Sequence, residues 1–206
     1  MSQTTTPTYN SSGFLGSDPN VNRLYDNVQA TLPGVTLPVV QMMAWNAVED
    51  FYIRSTCERR IMNWQMAAGV QEIDLNPYDE TWLVAWVLGY NGLHKSHVIP
   101  PATIRDLEYP ANPRWGEVLL ALKPINFNTN LPVNLFSNWF ETILAGTLAR
   151  LLMQPSKPWS SPQLAQYQGR MFARGIAEAR AIADAEYTDG PGRWRFNYFA
   201  NGRRKN

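Results

Sequence analysis

Apolar residues recur every three to four positions near both ends of this chain and lose that spacing in the middle. This change of period restricts the fold more than any other feature of the sequence. Val40, Met43, Ala44, Ala47, Val48 and Phe51 make one helical stripe, with Glu49, Asp50 and Arg54 on the other face. Thr36 can cap this helix and Pro38 falls in its first turn, and we run it to about Cys57. A shorter helix precedes it. Asp18-Pro19 reads as an N-cap followed by an N1 proline, the stripe runs through Val21, Leu24, Tyr25 and Val28, and Leu32-Pro33-Gly34 ends it.

From residue 60 to about 132 the pattern becomes short β-rich runs between turn signals. Strands are expected at 61–67, 70–75, 82–88 and 117–123, with Pro100-Pro101 and the 109–113 segment YPANP in the loops. The run WLVAWVL at 82–88 is apolar on both faces, which predicts a central strand, and Asn91-Gly92 follows as a turn. Helical spacing then returns. Phe136, Phe140, Ile143, Leu144, Thr147, Leu148, Leu151 and Leu152 form a stripe running through Met153. A proline-rich connection, PSKPWSSP, separates it from a last helix that Ser161 and Pro162 open. That helix places Leu164, Met171, Phe172, Gly175, Ile176, Ala179, Ile182 and Ala183 on one side, and Asp189-Gly190-Pro191-Gly192 stops it.

The fold class expected is α+β and mainly α: a four-helix bundle with an inserted small antiparallel β subdomain and extended arms at both termini. The divisions are a flexible N-terminal arm at 1–17, which is Ser/Thr/Asn/Gly-rich, and a first helical half at 18–59. The β insertion follows at 60–133, the second helical half at 134–187 and an extended C-terminal arm at 188–206. With 45% hydrophobic residues, the chain can build a real core.

No arrangement for catalysis is legible, and an enzyme is not expected. His94 and His97 have H-x-x-H spacing but follow a turn and lack a cysteine nearby, so a metal site is not expected. Glu72, Asp74, Asp79 and Glu80 read as a solvated rim rather than paired catalytic carboxylates. There is no G-x-S-x-G and no phosphate-binding glycine loop, and no cofactor is expected. The single cysteine, Cys57, excludes an internal disulfide and reads as a small packed residue. No signal peptide and no membrane span are expected.

The C-terminal arm is different. The net charge is +1, yet from Thr188 onward Arg193, Arg195, Arg203, Arg204 and Lys205 face one acid, Asp189, so the arm is basic and the body mildly acidic. As an extended strand, the arm would put Trp194, Phe196 and Tyr198 on one face and Arg193, Arg195 and Asn197 on the other. So many exposed aromatics, with Phe199 next, call for a partner. Three partners remain open: a protein groove or sheet edge, single-stranded nucleic acid, or the chain's own bundle.

Three segments of the second half carry a resemblance: AGTLARLL at 145–152, PSKPWSSP at 155–162 and FARGIAEAR at 172–180. In this order they resemble the head-to-tail adaptor family of short-tailed bacteriophages (connector or gatekeeper proteins, tail tubular protein A-like), which shows GALARLL, P-G-K-P-W and GIAEAR. Gly89-Tyr90-Asn91-Gly92, Leu122-Lys123-Pro124 and the early amphipathic helix also look like that family, so the resemblance spans about 37–186. Thr147 replaces its usual small apolar residue and Ser156 its usual glycine.

The resemblance implies a helical bundle with a β insertion and a homo-oligomeric ring, usually a homododecamer, beneath the portal of a virion assembled in the host bacterial cytoplasm. It further implies an arm that docks on the portal protein and a lower surface for the tail nozzle or tail fibres. DNA would pass through the lumen without sequence-specific binding, and no membrane is involved. The residues expected to bind portal are Arg193, Trp194, Arg195, Phe196, Tyr198, Phe199, Arg203 and Arg204. The competing expectation is a nucleic-acid-binding DNA-packaging accessory.

Overall fold

Proline opens three of the four helices, where its missing N–H costs nothing. α1 (Pro19–Thr31) and α4 (Pro162–Thr188) begin on one, and α2 (Leu37–Ser55) carries Pro38 in its first turn. The computed structural model describes residues 19–70, 72–76, 82–91, 96–99, 102–106, 111–125, 133–188 and 195–196. The expected N-terminal arm lies outside them. Thr36 stands at the N-cap of α2 in extended conformation, but its side chain makes no capping bond. The described residues are mainly helical, with four helices and an inserted antiparallel β subdomain, as the periodicity predicts.

α3 (Val133–Leu152) packs most extensively on the other helices. It buries Phe140, Ile143, Leu148, Leu151 and Leu152 against Val40, Ala44, Val48 and Phe51 of α2, Leu24 and Val28 of α1, and Phe172 and Ile176 of α4. A kink at Trp139 (φ −124°, ψ 18°) interrupts it, which helical spacing alone did not foretell.

Two glycines let α3 and α4 close on each other. A Cβ on Gly146 would stand 2.7 Å from the Phe172 ring, and one on Gly175 would stand 2.1 Å from Thr142 Oγ1. At this seam Arg150 donates to the Gly146 carbonyl and to Asp50 of α2, each at 2.8 Å, with its guanidinium 5.1 Å from the centre of the Phe172 ring. Asp50 and Glu49 are therefore not simply the solvent face of α2, because Glu49 also pairs with Lys123 at 3.0 Å.

Among the described residues, six strands between α2 and α3, with one from beyond α4, form two antiparallel sheets. β1 (Arg59–Met66), β6 (Arg114–Pro124), β3 (Trp82–Asn91) and β7 (Arg195–Phe196) lie in the order β1-β6-β3-β7. β2 (Glu72–Asp74), β5 (Thr103–Asp106) and β4 (Ser96–Ile99) make the second, in the order β2-β5-β4. The strand expected at 70–75 is thus only three residues long, β4 and β5 were not anticipated, and β7 lies within the arm expected to be extended.

Trp64, Met66, Val84, Leu120, Leu122, Leu75 and Ile104 of the β subdomain are buried and continuous with the helical core. Rings form the bridge: Trp139 of α3 meets Phe51 at 5.8 Å, Phe51 meets Tyr52 at 5.8 Å, and Tyr52 meets Trp82 of β3 at 5.3 Å. The aromatic surplus therefore works largely as internal structure. Leu164, Met171 and Ile182 do not join the core as expected. They are 40%, 41% and 49% exposed, beside the narrower buried row Ala165, Phe172, Ile176, Ala179 and Ala183.

Candidate protein interface

Where the body hands over to its C-terminal arm, position is fixed by a buried arginine. α2 ends at Ser55, two residues earlier than its periodicity suggests, because Thr56 turns into the left-handed region (φ 52°). This redirects the chain into β1, and Arg59 fills the corner with its side chain only 4% exposed. Its Nε donates to the Thr56 carbonyl at 2.7 Å and its Nη2 to Thr56 Oγ1 at 3.2 Å. Nη1 donates to the Ala183 carbonyl at 3.1 Å, and Nη2 also pairs with Asp184. A planar fork suits this task because its donors diverge at fixed angles. One side chain thus ties the end of α2, the start of β1 and the last turns of α4.

Beyond α4, residues 195–196 return to the body as β7. Arg195 pairs with Tyr90 and Phe196 with Gly89, antiparallel, on the side of β3 away from β6. So β3 is central as predicted, but over two residues only. Its pairing with β6 shifts register between Val84 and Trp86 and again between Val87 and Gly89. Such shifts bend a strand, and beyond the second one Gly89 to Asn91 pair regularly with β6, which is where β7 adds. Gly89 carries no side chain to obstruct that approach. Of the expected interface residues, Arg193, Trp194, Tyr198, Phe199, Arg203 and Arg204 lie outside the described residues. Arg195 and Phe196 lie at this edge.

The first sheet carries an exposed tryptophan that sequence reading missed. Trp115 is 77% exposed and pairs in register with Gln65, while Glu117 pairs with Asn63 one step along. The alternation of Trp115 and Glu117 with buried Gly116 and Val118 was the available signal. Trp86 is partly exposed too, but its indole N–H donates to the Ile53 carbonyl at 3.1 Å and fixes it to α2.

The chemistry considered from sequence does not assemble here. Among the described residues no group of His, Cys, Asp and Glu could hold a metal ion. His97 is in β4, in register with Arg105, whereas His94 lies outside the described residues. Glu72 pairs with Arg105 across β2 and β5, and Asp74 accepts from the Asn76 side chain at 2.9 Å, while Asp79 and Glu80 lie outside. Burial pushes the Cys57 thiol above its usual pKa, which keeps it protonated at neutral pH. Among the described residues no helix is long and apolar enough to cross a membrane. The chain matches no protein-family model, and no curated protein matches it.

Proposed function

We propose that this chain is the head-to-tail adaptor of a tailed bacteriophage. It is a structural virion protein that forms a ring, of twelve copies, between the portal and the tail nozzle or fibres, with DNA passing through the lumen. The observation that carries this reading is the way the three resembling segments fit together. AGTLARLL and FARGIAEAR meet in one helix contact, with Gly146 against Phe172, and Gly175 of the second segment packs on Thr142, just ahead of the first. The loop between them puts Ser156 at φ 61°, the left-handed conformation for which glycine is the natural residue, and glycine is what the family's P-G-K-P-W loop carries there.

In this reading the body provides a heterologous contact that closes into a ring. The basic, aromatic arm adds to the portal, and repetition around the ring turns individually weak arms into a firm joint. Light scattering after size exclusion, with the purified portal protein of the same phage, tests it. The full chain should co-elute with portal as a ring-sized complex, and a chain lacking 192–206 should stay folded but elute apart. Absence of any complex with the full chain would refute the proposal.

A further inference from the structure

We propose that the Gly89–Tyr90 edge of β3 accepts the C-terminal strand of a second copy of this chain, so that neighbours in a ring are joined by exchanged strands. This rests on the ring reading and specifies what holds one copy to the next, with Arg195 and Phe196 on the neighbour and the arm from Tyr198 onward left to reach the portal.

β3 is a strand with both faces largely buried, and without β7 it would end its sheet. An unpaired edge of that kind invites another strand. The β3–β6 ladder shifts register twice, and beyond the second shift the chain's own Arg195 and Phe196 pair with Tyr90 and Gly89 on the other side of β3. The acceptor and its matching donor are thus both visible in one molecule. The hold is short: two residue pairs, when isolated hairpins of full length are only marginally stable in water. Leaving this edge therefore costs little, and taking the same place on a neighbour restores every contact.

Delivery favours exchange as well. The Arg59 fork fixes the last turns of α4 at Ala183 and Asp184, so the strand starts from a set point. Residues 189–194, DGPGRW, then separate Thr188 from Arg195 and reach at most about 24 Å. Charge points the same way. The arm carries five basic residues and the body is acidic on balance; Glu117, exposed, lies next to Asn91 in register, one strand in from the acceptor edge. In a dilute chain the tether gives the intramolecular pairing an effective concentration in the millimolar range. A ring supplies a neighbour at a comparable concentration.

Disulfide trapping decides it. In a C57A background, Tyr90→Cys with Arg195→Cys places two thiols directly across the ladder, and Gly89→Cys with Phe196→Cys does so one residue on. Antiparallel pairs alternate between close and wide spacing, so one of the two sets is the closer, and either serves if the other misfolds. Oxidised when dilute, the double variant should give an intrachain bond and no covalent dimer. Oxidised when concentrated into particles that light scattering shows to be rings, it should give a covalent ladder on denaturing gels. Mixing a Tyr90→Cys chain with a larger tagged Arg195→Cys chain under ring conditions should give a mixed dimer, which no intrachain pairing can produce.

Rings that contain only intrachain bonds would overturn the exchange and leave the ring standing. Rings with neither bond in either cysteine set would overturn the β3 edge as acceptor. A chain that stays monomeric when concentrated and with portal present would remove the ring, and the exchange with it.

Discussion

Two junctions of this chain turn on a residue other than glycine in the left-handed region, and they are built in opposite ways. Thr56, between α2 and β1, is nearly fully buried at φ 52°; Ser156, between α3 and α4, is exposed at φ 61°. A β-branched residue in that region is a marked outlier, and Thr56 is held there by Arg59, which takes both its carbonyl and its hydroxyl. Ser156 has no such clasp among the bonds described. Its loop is fixed instead by the helices it joins, with Ser161 N–H donating to the Leu152 carbonyl at 3.0 Å. Backbone strain can thus be sustained by a dedicated side chain or by the rigidity of flanking elements. The predictions below separate the two.

The largest effect should come from the helix contact that supports the second junction. Gly175→Ala puts a methyl carbon 2.1 Å from Thr142 Oγ1, a distance that requires α3 and α4 to move apart. We expect a loss of about 3 kcal/mol in urea unfolding, at the upper end for an overpacked core. Gly175→Ala combined with Thr142→Ala should recover part of that loss. Failure to recover any would mean that the close approach of α4 to Thr142 is not what requires a glycine.

At the first junction, Arg59→Met keeps most of the buried stem and removes the fork. The Thr56 and Ala183 carbonyls lose a donor while Asp184, partly exposed, is rehydrated, so the ion pair itself counts for little. A loss of about 2 kcal/mol is expected. Hydrogen exchange should also show the last turn of α4 fraying ahead of the rest of that helix. Uniform exchange along α4 would contradict the anchoring role given to Arg59.

Much of this was legible beforehand because it is local. Pro19, Pro38 and Pro162 mark helix starts, and the 40–51 stripe is buried almost residue for residue apart from Met43. What escaped depends on partners distant in sequence. The kink at Trp139 serves a ring contact with Phe51, and β5 exists only by pairing with β2 and β4. Arg59 resembles Arg60 in the sequence, yet one is buried by the end of α4 and the other is exposed. On α4 the apolar arc is wider than the surface α2 and α3 can cover, so spacing could not tell Ile176 from Ile182. In the candidate interface the alternating arm was readable, but its pairing with Gly89 was not, because no local pattern identifies which edge a two-residue strand will take.

The junctions should also respond differently to pH. Tyr52, Cys57 and Glu58 cluster at the first one, and burial raises the pKa of all three. An acid whose folded pKa is raised binds its proton more tightly in the folded state, so its contribution is complete below the unfolded value and is lost as pH rises through the folded one. Glu58 should therefore make the chain lose stability as pH climbs out of the ordinary carboxylate range. Cys57 and Tyr52 should add a second decline in alkali, joined by Tyr25, whose pKa is pushed up to about 12 by burial in the helical half. Denaturation midpoints across pH should show both declines, and Glu58→Gln should flatten the first. An unchanged profile in that variant would place the acid-side titration elsewhere.

The smallest effect lies at Ser156, and its sign is the informative part. Glycine there relieves left-handed strain, which costs a non-glycine residue roughly 1–2 kcal/mol, but it also frees the unfolded chain by about 0.4–1 kcal/mol. Since the side chain is exposed, little else changes, and Ser156→Gly should stabilise by roughly 0.5 kcal/mol. The same change at Thr56 should not, because it also removes the hydroxyl that accepts from Arg59 and empties a buried corner. A gain at 156 with a loss at 56, read as shifts of the urea midpoint in opposite directions, is what the two constructions require. Equal gains at both would mean that Arg59 holds Thr56 no more firmly than water holds Ser156.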